Sequence, residues 1–218
     1  MYSLIALLFL STVHAQLEVD GPCDLTRSIS NLSGVIYLEE LAGTWYQVQR
    51  IPNDVESGEC SRSVIKYSIE EFNKYDKPSE VTSIYKYDSE VVNHKRVQRN
   101  GTFTSDGESD IEIFTFSYDG VPQNYKILGS DGRNYLMLYS CKNSGGRSII
   151  SAWKFGRKTT YSEKIISLTR TLSDSANIPD EYWINVSHTE AACKIRNGAA
   201  MLQISPFILM IVAVFSIQ

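Results

Sequence analysis

The sequence predicts an all-β fold, an eight-stranded antiparallel up-and-down barrel with one C-terminal α-helix packed outside it. Three observations carry this. Eight short runs between Gly43 and Phe155 are rich in Ile, Val, Tyr, Phe and Thr, side chains that suit a pleated, half-buried surface. Clusters of Gly, Asn, Asp, Ser and Pro separate the runs at short, regular intervals. After the last run the apolar period changes, from 2 to 3.6. Short connections imply that each strand pairs with the next, and closing the sheet removes its exposed edges.

The first run spans 43–51. Gly43 precedes alternating side chains, Trp45, Gln47 and Gln49 on one side against Tyr46, Val48 and Arg50 on the other, and Pro52-Asn53 ends the strand. The other runs are 61–69, 81–88, 95–104, 110–118, 124–128, 135–141 and 148–155. Turn formers fill 73–79, 105–107, 119–122, Asp131-Gly132 and 143–146. Tyr161, Ile165, Leu168 and Leu172 then stand at i, i+4, i+7 and i+11, one face of a helix, and Thr160-Tyr161-Ser162-Glu163 reads as a capping box at its start. That stripe must be covered by the outside of the barrel. Residues 183–187 offer a last short strand beside the first.

Both ends carry processing signals. Residues 1–15 hold an apolar core and finish Val13-His14-Ala15, the layout of a cleaved secretion signal, too short to span a bilayer. After Arg196 no charge follows, and 204–217 is almost wholly apolar. With the small residues Asn197-Gly198-Ala199-Ala200 upstream, this is the layout of a glycosylphosphatidylinositol (GPI) attachment signal. Asn197 is the expected attachment residue, with Gly198 and Ala199 as alternatives. The expected organisation is a signal peptide at 1–15, one domain at 16–197 and a removed propeptide at 198–218, which places the protein on the outer leaflet of the plasma membrane. Without the anchor it would be secreted.

The charge balance, 21 Lys and Arg against 25 Asp and Glu, and the lack of a basic run exclude a nucleic-acid partner. Cys23, Cys60, Cys141 and Cys193 enter an oxidising compartment, so they are expected to pair, in one of three connectivities. Their spacing fits no zinc site. Asn31, Asn100 and Asn185 head glycosylation sequons and should face solvent. His94 and His188 have no Ser, Asp or Glu at a motif-like spacing, so no catalytic triad is expected.

Strand parity nominates the lining of the barrel. The Trp45 side gives Gln47 and Gln49. An outward Asn100 turns Val97, Arg99, Gly101 and Phe103 inward. Lys126 and Lys154, taken as solvated, put Tyr125 and Ile127, and Ile149, Ser151 and Trp153, inside. An outward Lys86 does the same for Tyr85 and Tyr87, and Ile65 and Tyr67 are chosen on the second run. The fifth run is ambiguous: Glu112 favours Ile111 and Ile113 inside, but Phe114 and Phe116 share its parity. Such a lining suits an apolar ligand with one or two hydrogen-bonding ends.

Three segments carry a resemblance: Gly43-Thr44-Trp45, Ser130-Asp131-Gly132-Arg133-Asn134-Tyr135, and Ala152-Trp153-Lys154-Phe155-Gly156-Arg157. Their spaced signature, Gly-X-Trp, then Ser-Asp, then an Arg after the last barrel strand, resembles that of the lipocalins, over roughly Gly21 to Lys194. The resemblance implies that Gly43, Trp45, Asp131 and Arg157 hold the fold, with the arginine lying across the indole at the barrel floor. Likeness to the apolipoprotein D branch implies the pairs Cys23–Cys141 and Cys60–Cys193. The family also implies a small lipophilic ligand (fatty acid, retinoid, sterol or bilin-like tetrapyrrole pigment), no other cofactor and no enzymatic activity, because a catalytic barrel thiol would need a fifth, unpaired cysteine. A surface adhesion or signalling glycoprotein with a cell-surface protein partner is the alternative.

Overall fold

The computed structural model describes residues 16–25, 38–74, 77–105, 113–118 and 120–196. Segment 1–15, Asn31, Ile111 with Glu112, and Asn197 with the tail behind it lie outside the described residues. The chain runs β1 (Leu17–Asp20), a 3-10 turn (Leu38–Leu41), β2 (Gly43–Arg50), β3 (Glu59–Lys74), β4 (Lys77–Val92), β5 (Lys95–Ser105), β6 (Ile113–Tyr118), β7 (Val121–Ser130), β8 (Tyr135–Ser144), β9 (Arg147–Gly156), α1 (Glu163–Ser175), β10 (Ile184–Asn185) and α2 (Glu190–Cys193). Each of β2 to β8 pairs with the strand that follows it, and β9 returns to β2, closing an eight-stranded antiparallel barrel. β1 adds to β9, and β10 to β2 at Arg50 and Gln49.

The strands outrun the predicted runs most in β3 and β4, where residues 73–74 and 77–79, expected in a turn, pair across the hairpin as Asn73 with Pro78 and Lys74 with Lys77. Two turns explain further extensions. Gly145 and Gly146 both have positive φ, 58° and 86°, so a two-residue loop suffices and β8 and β9 extend to Ser144 and Arg147. Val121-Pro122, expected in a turn, instead pairs with Tyr118 and Ser117 at the start of β7, where a missing N–H is tolerated.

The barrel has an inner and an outer core. Inside, Trp45, Ile65, Ile84, Phe114, Phe116, Tyr125, Leu136, Leu138, Trp153 and Phe155 form one buried cluster. Outside, Leu128, Tyr135, Met137, Ile150 and Ala152 meet Leu172 and Ile178 under α1. Ile165, Leu168 and Tyr161 pack on this outer cluster, as the helical spacing requires. The capping box is corrected: α1 starts at Glu163 with Ser162 at its N-cap, two residues later than expected, and Ser162 makes no side-chain cap bond. Tyr161 is instead drawn to the barrel, its hydroxyl donating to the Phe155 carbonyl at 2.7 Å.

One end of the barrel is closed by the signature residues. The Arg157 guanidinium lies 3.7 Å from the centre of the fully buried Trp45 ring. It donates to the carbonyls of Glu40, Ala42, Thr44 and Gly132, tying the 3-10 turn, β2 and the β7–β8 turn into one floor. Gly43 has φ +105°, and a Cβ there would stand 2.9 Å from Arg157 Nη1. Asp131 accepts the backbone N–H groups of Arg133, Asn134 and Tyr135, bonds that draw its carboxyl below the usual range against the opposing effect of burial. Both disulfides are Cys23–Cys141 and Cys60–Cys193, fastening the two tails to the barrel.

Candidate functional site

The barrel interior divides by height. Above the Trp45 floor lies an aromatic zone, where Phe103 packs edge-on to Phe114 (5.5 Å between ring centres), Phe116 on Tyr125 (5.8 Å) and Tyr125 against Trp153 (5.3 Å). At the other end, where β2 ends and β3 begins, the wall becomes polar: Gln47, Arg50, Ser61, Ser63, Lys86, Asp88 and Glu90 are all buried.

This polar zone is a connected network. Lys86 Nζ pairs with Asp88 at 2.5 Å and lies over the rings of Tyr118, Tyr125 and Phe155 at 5.8–5.9 Å. Ser63 and Tyr118 hydroxyls also donate to Asp88. Burial would lower the Lys86 ammonium, but Asp88, Tyr125 and Glu56 outweigh it and hold it above its ordinary 10.5. Glu56, from the 51–58 loop, reaches into the barrel and accepts from Gln47 Nε2, Trp153 Nε1 and Arg99 Nη2, each at 2.7 Å. Glu90 accepts the Gly58 N–H at the loop's end, and burial nonetheless raises its carboxyl. Arg50 Nη1 donates to Gln47 Oε1, while its buried Nε has no hydrogen-bond partner among the described residues. One void beside Glu56, lined also by Gln47, Ser63, Asp88 and Arg99, measures about 10 Å³.

Of the nominated lining, Gln47, Ile65, Tyr67, Phe103, Tyr125, Ile127 and Trp153 face the interior. Val97 and Ile149 share the inward parity near the mouth, Val97 being 40% exposed. Three residues are corrected. Tyr85 and Tyr87 point outward: Ile84, Lys86, Asp88 and Glu90 are the buried side of β4, and Tyr87 is 37% exposed with Lys66 Nζ 5.3 Å over its ring. The premise that lysine faces solvent failed because Asp88 and three aromatic faces stand in for water around Lys86. Gln49 also faces outward, bonded to Asn185 Oδ1 and Lys154 Nζ, because a bulge between Gln47 and Gln49 shifts β2 by one residue and turns Arg50 inward.

Phe114 and Phe116 resolve the fifth run, taking the interior. Lys126 and Lys154 do lie outside the barrel but are only 4% exposed. Lys126 Nζ donates to the Leu25 carbonyl, and Lys154 stacks 4.1 Å over the Trp183 ring. Asn100 and Asn185 are exposed. His94 lies in the β4–β5 turn, and His188 Nε2 contacts the Gln47 carbonyl beside the Cys60–Cys193 bridge, whose sulfurs are joined to each other rather than offered to a metal. Sequence reasoning missed Lys86, Asp88, Glu90, Arg50 and Glu56. The triple Lys86-X-Asp88-X-Glu90, one cation and two carboxylates at one parity, was the available signal for the first three.

A closed barrel with an aromatic interior, a polar mouth and an outer helix defines a class of protein that encloses a small molecule. The model of the lipocalin / cytosolic fatty-acid binding protein family matches residues 42–190, and the chain belongs to that family, whose members bind small hydrophobic ligands and are typically binding or transport proteins. Apolipoprotein D of Cavia porcellus is 25% identical over 157 residues, 66% of this chain and 79% of the relative, and that of Mus musculus 24% over the same shares. Among solved structures, insecticyanin from the tobacco hornworm Manduca sexta has a TM-score of 0.61 at 19% identity, covering 83% of this chain and 94% of its own. Lobster apocrustacyanin A1 has 0.60 at 18%, covering 80% and 92%.

Proposed function

We propose that this protein captures a small amphiphilic lipophile, reversibly and without a covalent bond, inside the barrel. The observation that carries the reading is the division of the inner wall: aromatic rings from Phe103 to Trp153 near the floor, and a polar network from Lys86 to Arg50 towards the mouth. An apolar body would lie among the rings, each Å² withdrawn from water contributing roughly 25 cal/mol, and its polar end would meet the network. Trp153 sits at the boundary and reports binding. Titration with a fatty acid, a retinoid, a sterol and a bilin should give saturable one-to-one quenching of tryptophan emission for at least one of them. No response to any member would overturn the reading.

Capture would take place at the outer face of the plasma membrane, supported by the secretion signal at 1–15 and the uncharged tail behind Asn197. Exposed Asn100 and Asn185 suit glycans on such a surface. Phosphatidylinositol-specific phospholipase C should release glycosylated protein from intact expressing cells. Retention until detergent is added, or protein free in the medium without enzyme, would contradict the anchor. A second reading, a surface glycoprotein recognising a protein partner through its exterior, draws on the outward Tyr85 and Tyr87. Loss of cell adhesion on Tyr87→Ser with lipid binding intact would favour it.

A further inference from the structure

We infer that Glu56 is an internal stand-in for the ligand's head group: the donors it occupies form a carboxylate cradle, and a lipophilic organic acid enters the barrel by replacing Glu56 and lifting the 51–58 loop. The inference rests on the lipophile-binding reading and names the class of ligand within it.

Three donors from three strands converge on Glu56, Gln47 Nε2 from β2, Trp153 Nε1 from β9 and Arg99 Nη2 from β5, all at 2.7 Å. The sheet thus builds a site for one carboxylate, yet the carboxylate filling it comes from a loop. A group on a loop can leave without breaking the barrel. That loop is preformed as a unit, because Asn53 Oδ1 accepts the N–H groups of Val55 and Glu56. Its inner end is held by Glu90 through the Gly58 N–H.

Charge and space both require exchange rather than addition. Arg50, Lys86 and Arg99 face Glu56, Asp88 and Glu90 inside the barrel, three cations against three carboxylates. A fourth carboxylate would be an unpaired buried charge, whereas one replacing Glu56 keeps the balance. The void beside Glu56, about 10 Å³, holds about one water molecule. A head group reaches the three donors only when Glu56 has gone. Arg50 supplies the second, independent pointer: it is 3% exposed, and its Nε has no hydrogen-bond partner among the described residues. An incoming acid can take a donor that Glu56 leaves unused.

The test compares hexadecanoic acid with hexadecan-1-ol, the same chain with and without the charge, as displacers of a fluorescent polyene fatty acid. It uses the full-length protein, Glu56→Ala, Glu56→Gln and Arg99→Met. The inference expects Glu56→Ala to tighten the acid tenfold or more while moving the alcohol less than threefold, with Glu56→Gln between wild type and Ala. Arg99→Met should abolish the preference for the acid. Equal tightening of acid and alcohol in Glu56→Ala would overturn the inference, making Glu56 a latch alone, and so would weaker acid binding in both Glu56 variants while their melting curves remain cooperative. Binding of both probes without acid preference in any variant overturns the head-group site and leaves lipophile binding intact. Binding of neither probe to any variant overturns both.

Discussion

Replacing Lys86 by Met should lower stability by about 3 kcal/mol, because it leaves Asp88 charged in the barrel without its counterion. Lys86 and Asp88 are 3% and 7% exposed and 2.5 Å apart. Removing one member of such a pair costs about 3–5 kcal/mol, as the other charge stays in a medium that solvates it poorly. Ser63 and Tyr118 still donate to Asp88, and charge-assisted bonds contribute about 1.5–3 kcal/mol each, so the loss should fall at the lower end. Replacing Lys86 by Met and Asp88 by Leu together removes both charges and should recover most of it. Urea midpoints multiplied by their slopes, followed by tryptophan fluorescence, measure the differences. The Lys86 ammonium is held above 10.5, so its contribution is complete below that value and fades only as pH rises through the higher folded pKa. The deficit of Lys86→Met should therefore be the same at pH 7 and pH 9. A loss below about 1 kcal/mol would refute this reasoning, since it would mean that Lys86 reaches water and that β4 presents Tyr85 and Tyr87 to the interior.

Other outcomes follow from the same geometry. Tyr85→Ser and Tyr87→Ser should leave ligand affinity within twofold of wild type, whereas Phe116→Ser should weaken it severalfold, both read by fluorescence displacement. Gly43→Ala should destabilise by about 2 kcal/mol in urea, as alanine at positive φ costs more than about 1 kcal/mol even before its Cβ crowds Arg157. Burial draws the Lys154 ammonium down to about 8, against the pull of Asp180. Between pH 8 and 10.5 the unfolded chain then binds more protons than the folded one, so stability should rise with pH across that window, and Lys154→Met should flatten the rise in urea midpoints.

Much of the fold was legible because its determinants are local. Alternation, turn residues and the helical stripe at Tyr161, Ile165, Leu168 and Leu172 each act within one element. The signature residues were legible through family resemblance, and their physical basis, Arg157 across Trp45, is a contact between positions more than a hundred residues apart. The lining was half legible. Parity succeeded on β5, β7 and β9, where the outward residues were named rightly even though Lys126 and Lys154 proved to be buried outside the barrel. It failed on β4, because whether a lysine faces water depends on partners from other strands, here Tyr118, Tyr125 and Phe155. It failed at Gln49 because one extra residue in β2 reverses the faces, and nothing in the sequence marks that bulge. Glu56 was out of reach altogether, since periodicity carries no information about where a loop side chain points.

The most direct test of the central claim is photocrosslinking with a fatty acid carrying a diazirine midway along its chain, followed by peptide mapping of the full-length protein. The account predicts one label per molecule, on the interior residues Phe103, Phe114, Phe116 or Leu138, displaced by excess unlabelled acid. Labels on the outer groove beside α1, at Ile166 or Trp183, or no displaceable label at all, would contradict it.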